Sequence, residues 1–335
     1  MINPIRVLQI GLGDIGLAIT QILAERESYE LVNAADIDPA LAGSDLGQLV
    51  GLPGDREIPV HGSISEALSN TQADVAVLTT SSGMEDITPQ VLELVESGLP
   101  VVSTCEELVY PWRANPDLSQ RIDNTARERS VAVLSTGVNP GFLMDFLPVV
   151  LTRVARRVDA VVVERVQDAG TRREAFQRKV GAGLTVRQFE ERVASGGFGH
   201  VGLTASIELL AAGLGWQLDE ATETIEPVIA EQPQRTEFIT VESGQVTGVY
   251  QVGKGIKGGK EVITLIFRAV AGEPEPYDRV RIEGSPVLES TFPGGVHGDV
   301  ATGAITANAI PLVMQSPPGL RTMADLWPGC LGSGG

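Results

Sequence analysis

Cysteine is nearly absent from this chain: Cys105 and Cys330 are the only two in 335 residues, far apart and without CxxC spacing. That excludes a disulfide framework and a cysteine-built zinc site, and no metal is expected. Aromatic residues are scarce at 4%, so Val, Ile, Leu and Ala must fill the interior. No segment approaches the roughly 18 uninterrupted apolar residues of a membrane span, and the N-terminus lacks the layout of a signal peptide. The expectation is a cytoplasmic protein without a membrane partner. Basic charge is short too, with 25 Lys plus Arg against 43 Asp plus Glu and a net charge of −18. That field repels nucleic-acid phosphates and anionic lipid, so neither is an expected partner.

What is present is an ordinary globular composition, 43% hydrophobic and 20% charged, in a chain long enough for two domains. Ile5 to Ile10 is a short apolar run that ends directly in Gly11-Leu-Gly13-Asp-Ile-Gly16. Ile15, Ala18, Ile19, Ile22 and Leu23 then recur at helical spacing, giving strand, glycine turn, helix. A second run, Leu31 to Ala35, ends at Asp36, 20 residues after Gly16. Further strands are expected at Ala73 to Leu78, Pro100 to Thr104 and Val131 to Ser135, with helices at Pro89 to Ser97 and Pro116 to Arg129. This alternation predicts a Rossmann-type α/β domain, a doubly wound parallel sheet, over residues 1–138.

Past Asn139 the pattern changes. Val158 to Val166, Glu237 to Val241, Val246 to Gly253, Glu261 to Ala269 and Arg279 to Glu283 read as strands joined by Gly-rich turns. Two helices precede most of them, one opened by the capping pair Thr185 and Gln188 and stopped by Gly196-Gly197, the other over about Val201 to Ala212. Residues 139–302 are therefore expected to form an α+β substrate and dimerisation domain with a mostly antiparallel sheet. A helix from about Gly303 to Met314, within residues 303–335, is expected to return to the first domain.

The glycine motif has a physical reason in each position. Gly11 makes the tight turn, Gly13 lets a pyrophosphate approach the backbone, Gly16 lets helix and strand pack, and the helix N-terminus attracts the anion. Asp36 is placed to take the adenosine ribose hydroxyls, and the following Ile37, Asp38 and Pro39 offer no Arg for a 2′-phosphate, so of NAD and NADP, NAD is favoured. The expected cofactor set is Gly11, Gly13, Asp14, Ile15, Gly16, Asp36, Ile37, Thr79, Thr80, Ser81, Thr104, Asn139 and Asn308.

Strands also end in Thr79-Thr80-Ser81-Ser82 and in Ser103-Thr104-Cys105-Glu106-Glu107, where doubly wound sheets hold their ligands. Glu106 and Glu107 read either as an acid/base pair or as acids favoured by a helix dipole. Cys105 reads as a small buried residue. Gly137 to Phe142 reads as the mouth of a cleft or as a hinge. Tyr110, Asn139, Pro140, Gly141, Phe142, Gln167, Asp168 and His200 form the expected substrate set. Arg165, Arg172 and Arg173 read as a strand-end network, and His61 and His297 as structural.

At these motifs the chain resembles the 2,4-diaminopentanoate dehydrogenases and native amine dehydrogenases, a dihydrodipicolinate-reductase-like branch. The resemblance spans nearly the whole chain and rests on Gly11 to Gly16, Ser103 to Leu108 with Tyr110-Pro-Trp112, Gly137 to Phe142, Gln167-Asp-Ala169, Gly199 to Leu203, Gly298 to Thr302 through Asn308 to Pro311, and Pro318 to Met323. It implies a homodimer that binds NAD(P) and interconverts a small ketone or aldehyde plus ammonia with an amine. It further implies a catalytic glutamate in the Cys-Glu-Glu segment, either Glu106 or Glu107. The chemistry is sound, because a carboxylate can hold ammonium, free it as NH3, and return the proton as a carbinolamine loses water.

Dihydrodipicolinate reductase itself fits poorly, since its His-rich motif with neighbouring lysines has no counterpart here. A diaminopimelate- or homoserine-type dehydrogenase stays open through Arg165, Arg172, Arg173, Arg178 and Lys179, which offer cations for a substrate carboxylate. A non-enzymatic dinucleotide sensor stays open because fold does not establish function.

Overall fold

A computed structural model describes residues 3–52, 57–69, 72–196 and 198–326. Cys330, Gly197 and the end of the expected C-terminal segment, residues 327–335, lie outside the described residues. The chain divides into two compact units, one running to Phe142 and resuming at His297, the other Leu143–Val296.

The first unit opens with β1 (Ile5–Ile10), whose last four residues are buried, and α1 (Asp14–Ala24), whose buried Gly16, Ile19, Thr20 and Leu23 keep one helical face inward. It continues through β2 (Tyr29–Ala35), α2 (Leu46–Leu49), β3 (Val60–His61), α3 (Ile64–Ser69), β4 (Val75–Leu78), α4 (Met84–Glu96), β5 (Val101–Ser103), α5 (Pro116–Glu128) and β6 (Ala132–Ser135). The second unit carries α6 (Phe146–Leu151), β7 (Arg157–Asp168), α7 (Glu174–Lys179), α8 (Val186–Ala194) and α9 (Leu203–Gly213). It then runs through β8 (Glu220–Ile229), β9 (Gln234–Arg235), β10 (Thr240–Val241), β11 (Val246–Lys257), β12 (Lys260–Val270), β13 (Tyr277–Ser285) and β14 (Leu288–Pro293). The chain re-enters the first unit as α10 (Gly298–Gln315) and β15 (Gly319–Arg321).

Among the described residues the first sheet has the order β15-β6-β5-β4-β1-β2-β3, parallel throughout. Its central strands are buried end to end, as short apolar runs covered by helices on both faces must be. Strand order reverses between β1 and β4, the place where such sheets open a crevice beyond their carboxyl ends. Helix α10 lies close on α1: a Cβ on Gly303 would come within 2.7 Å of Ile22. Strand β15 is held by Asp123, which accepts the N–H of Leu320 at 2.9 Å.

The second sheet has the order β14-β13-β7-β12-β11-β8, antiparallel except for β7 with β12. Val161, Val163, Leu203, Ile207, Leu265 and Val280 pack α9 against it. The expected capping box of Thr185 and Gln188 opens α8.

Several elements differ from the sequence reading, among them α10, which begins at Gly298 rather than about Gly303. Helix α4 starts at Met84 rather than Pro89, because its first N–H is capped from outside the helix by Glu107. The strand expected at Glu237 to Val241 shrinks to β10, paired among the described residues with β9 alone. Strand β8 was not expected, since an edge strand alternating Thr and Glu carries little apolar signal.

Candidate active site

The first unit holds a groove of about 630 Å³ beyond the ends of β1, β2 and β4. The three motif glycines meet different constraints there. Gly11 adopts φ +86°, and a Cβ on it would lie 2.8 Å from the carbonyl oxygen of Thr79. A Cβ on Gly16 would sit 2.0 Å from the carbonyl oxygen of Gly11, so α1 packs on the loop without space for a side chain. Around Gly13 nothing lies within 4 Å, so the protein itself gives no reason for a bare backbone at this position. Gly13 is also the N-cap of α1 and brings no side-chain cap, and the N–H groups at the N-terminus of a helix attract an anion. This donor set fits a pyrophosphate.

Asp36, at the end of β2, accepts the N–H of Leu12 at 2.6 Å and that of Asp38 at 2.8 Å, and Ile37 beside it is 91% exposed. One face of α4, with Asp86, Gln90 and Glu93, lines the opposite wall. Among the described residues that line the groove there is no Lys or Arg. Thr80 donates to Gln90 at 2.8 Å, and Ser81 accepts the N–H of Gly83 at 3.2 Å.

The segment after β5 is pinned to its neighbours. Thr104 donates its N–H to Leu78, Glu107 donates its N–H to Ser82, and the hydroxyl of Ser135 reaches the carbonyl of Cys105 at 2.6 Å. The Cys105 thiol donates to Ser82 at 3.1 Å, and burial pushes it up to about 12, which keeps it from nucleophilic work. Glu107 accepts the N–H of Met84 at 2.7 Å and so caps α4, while Glu106 beside it is half-buried on the same platform. Beyond β6, Asn139 and Pro140 form a cis peptide, and Gly141 takes φ +120° where a Cβ would lie 2.6 Å from the nitrogen of Gly137. Half-buried Tyr110, Asn139 and Phe142 belong to this unit.

In the second unit, Arg165 is 2% exposed and pairs with Asp278 at 2.9 Å. Gln167 donates to Val296 at 3.3 Å and accepts from Arg172 at 3.2 Å, and Arg172 lies 4.3 Å over the ring of Phe176. His200 stacks on Phe267 at 4.7 Å, and its backbone is held by both ends of the Gln251 amide at 3.0 and 2.9 Å. Burial, then Lys179 and Arg165, lower its pKa, so the ring is neutral.

Several expected residues have other work. The hydroxyl of Thr79 bonds inward to the carbonyls of Ile10 and Gly11. Asp168 accepts the N–H groups of Gly170 and Gly272 at 2.8 and 2.9 Å and fixes turns. Asn308 accepts from Arg26, just past the C-terminal end of α1 and therefore at the opposite end of that helix from the glycine loop. Gln9 was missed, although a Gln inside an apolar strand directly before the glycine turn is a readable signal.

Comparison with known proteins places these features in a wider setting. A family model described as the 2,4-diaminopentanoate dehydrogenase C-terminal domain matches residues 142–331, and a CoA binding domain model matches residues 2–107. A 2,4-diaminopentanoate dehydrogenase of Acetoanaerobium sticklandii is 30% identical over 97% of this chain and 94% of its own length. An amine dehydrogenase of Streptomyces virginiae is 25% identical over 94% of each chain. The solved structure of an amine dehydrogenase from Mycobacterium smegmatis matches with a TM-score of 0.86 at 25% identity, covering 96% of this chain and 95% of that one.

Proposed function

The chain belongs to the 2,4-diaminopentanoate dehydrogenase family, and from that premise we propose that it is an NAD-dependent amine dehydrogenase of the cytoplasm. It deaminates a small amine oxidatively and, in reverse, aminates a small ketone or aldehyde with ammonia. The observation that carries this reading is the shared edge of the first sheet: the groove at the ends of β1, β2 and β4 adjoins the platform after β5 that bears Glu106 and Glu107.

Gly11, Gly13 and the N-terminus of α1 hold the pyrophosphate, and Asp36 takes the ribose hydroxyls. When bound, the nicotinamide supplies the hydride acceptor for oxidation and the donor for reduction. Asp36, Asp86 and Glu93 line the groove with carboxylates, which favours NAD over a cofactor carrying a further phosphate. Glu107 caps α4, and Glu106, half-buried on the platform, is the acid/base. Its carboxylate holds the substrate ammonium, takes its proton to release a nucleophilic amine, and returns one to the departing hydroxyl of the carbinolamine. The protein is a homodimer, consistent with the sheet face that presents half-buried Val162, Tyr250, Val252 and Ile266 away from the helices.

A second reading narrows the substrate to a diamine bearing a carboxylate. It is favoured by buried Arg165 and by Lys179, whose positive charges act on His200. The test is NADH oxidation with a panel of ketones and aldehydes in ammonium buffer, beside NAD reduction with 2,4-diaminopentanoate. Ammonia-dependent turnover of plain ketones supports the first reading and activity on the diamino acid alone the second. Absence of both overturns the dehydrogenase.

A further inference from the structure

We propose that the dinucleotide loop is preorganised by a side-chain clamp on one peptide group, Gly11–Leu12, which makes Gln9 and Thr79 positioning residues and gives Asp36 a second role. The proposal rests on the dehydrogenase reading of the same groove. The carbonyl oxygen of this peptide accepts from the Gln9 amide at 3.0 Å and from the Thr79 hydroxyl at 2.8 Å. Its N–H donates to Asp36 at 2.6 Å. The ends of three adjacent strands, β1, β2 and β4, thus grip a single peptide from both sides.

Two features argue that the clamp is built for the loop rather than for the sheet. Gln9 is fully buried between Leu8 and Ile10, where an apolar residue serves a parallel strand better. Its Oε1 is buried without a hydrogen-bond partner among the described residues, a cost offset by the amide N–H contacts, to Gly11 and Thr79 at 3.0 Å and to Ile10 at 3.4 Å. The second feature is Gly11 itself. Glycine at φ +86° has the most freedom to lose, and a loop whose peptide can rotate must be ordered each time the cofactor binds. Fixing both ends of the peptide moves that ordering into folding, so that Gly13 already presents its bare backbone when the dinucleotide arrives.

Asp36 is the clamp's third jaw as well as the residue placed for the ribose. Replacing it to admit a 2′-phosphate therefore also releases the N–H of Leu12, so Asp36→Ala weakens NADH without gaining NADPH.

The experiment is a double-mutant cycle on NADH binding, read by fluorescence titration, with thermal melting of each apo variant. Thr79→Val and Gln9→Met are each expected to weaken NADH on the order of tenfold, and Thr79→Ser to bind as wild type. In the Asp36→Ala background, Thr79→Val is expected to cost much less than it does alone, because either loss frees the same peptide. A residue that only scaffolds the fold would lower the melting midpoint and leave the affinity of the folded protein alone. Wild-type affinity in folded Thr79→Val and Gln9→Met, or penalties that multiply in the double variant, overturns the clamp. Should Thr79→Val fail to fold, Gln9→Met, alone and in the Asp36→Ala background, gives the same decision. A wild-type protein that binds neither NADH nor NAD sinks the dehydrogenase reading instead, and the clamp with it.

Discussion

The carboxylate of Glu107 accepts the N–H of Met84 at 2.7 Å and closes the start of α4, so two acids adjacent in sequence have different tasks. The N-cap residue Gly83 has no side chain to do this. Glu107→Ala should therefore cost about 1 kcal/mol of stability, the usual worth of a helix cap. Glu106→Gln should lower turnover by roughly 10²- to 10⁴-fold, the typical share of a positioned acid/base. Melting curves and initial rates on the two variants separate the roles; a Glu107 variant that loses turnover while keeping its stability would reverse the assignment.

Gly13 and Gly16 make a sharper pair. An Ala at position 13 meets nothing within 4 Å, and the backbone there, at φ −66°, suits any residue. Gly13→Ala should fold with wild-type stability and bind NADH at least about tenfold more weakly, since the new methyl occupies the path of the pyrophosphate. Gly16→Ala should instead destabilise the apo protein by several kcal/mol, because its Cβ would lie 2.0 Å from a backbone carbonyl that cannot yield. Calorimetry and titration of both variants decide; equal effects on stability would mean the loop is not shaped for a ligand.

In the first sheet β1, β2, β4, β5 and β6 were legible because each is a short apolar run, the pattern that a sheet covered on both faces demands, whereas the two- and three-residue strands β3 and β15 are too short to carry it. Asp36 was legible because βαβ geometry fixes its distance from the glycines. What stayed hidden depends on contacts distant in sequence. The start of α4 is set by Glu107, 23 residues beyond Met84. The commitment of Asp168 depends on Gly272, 104 residues away. Asn308 belongs to the expected cofactor set, yet its neighbour Arg26 marks the end of α1 that the glycine loop does not occupy. Spacing along one element carries none of this.

Cofactor choice should follow the charge of the groove. With Asp36, Asp86 and Glu93 among its lining residues, NADH should bind at least about tenfold tighter than NADPH at low salt. Because exposed charges are screened over roughly 8 Å at physiological ionic strength, the gap should narrow as salt rises. Parallel titrations of the two cofactors at low and high salt test this, and equal affinities at low salt would contradict it.

The pH dependence of stability should carry the signature of His200. Burial first, and then the positive charges of Lys179 and Arg165, lower its pKa from 6.5 to about 3. In the unfolded chain the imidazole takes up a proton near pH 6.5, whereas in the folded protein it stays neutral. The unfolded state therefore binds more protons between these values, and stability must rise with pH across that window. The contribution is complete above pH 6.5 and is lost progressively as pH falls toward about 3. Between pH 7 and pH 5 the loss attributable to this ring should be about 1–2 kcal/mol. Asp278 and Glu223, both raised by burial, pull the other way in the carboxylate range, so the wild type must be compared with a variant rather than read alone. Denaturant unfolding of wild type and His200→Asn at both pH values isolates the ring. The variant should lose less stability on acidification than the wild type by that amount; a constant difference between the two proteins would mean that His200 is solvated and free to charge in the folded state.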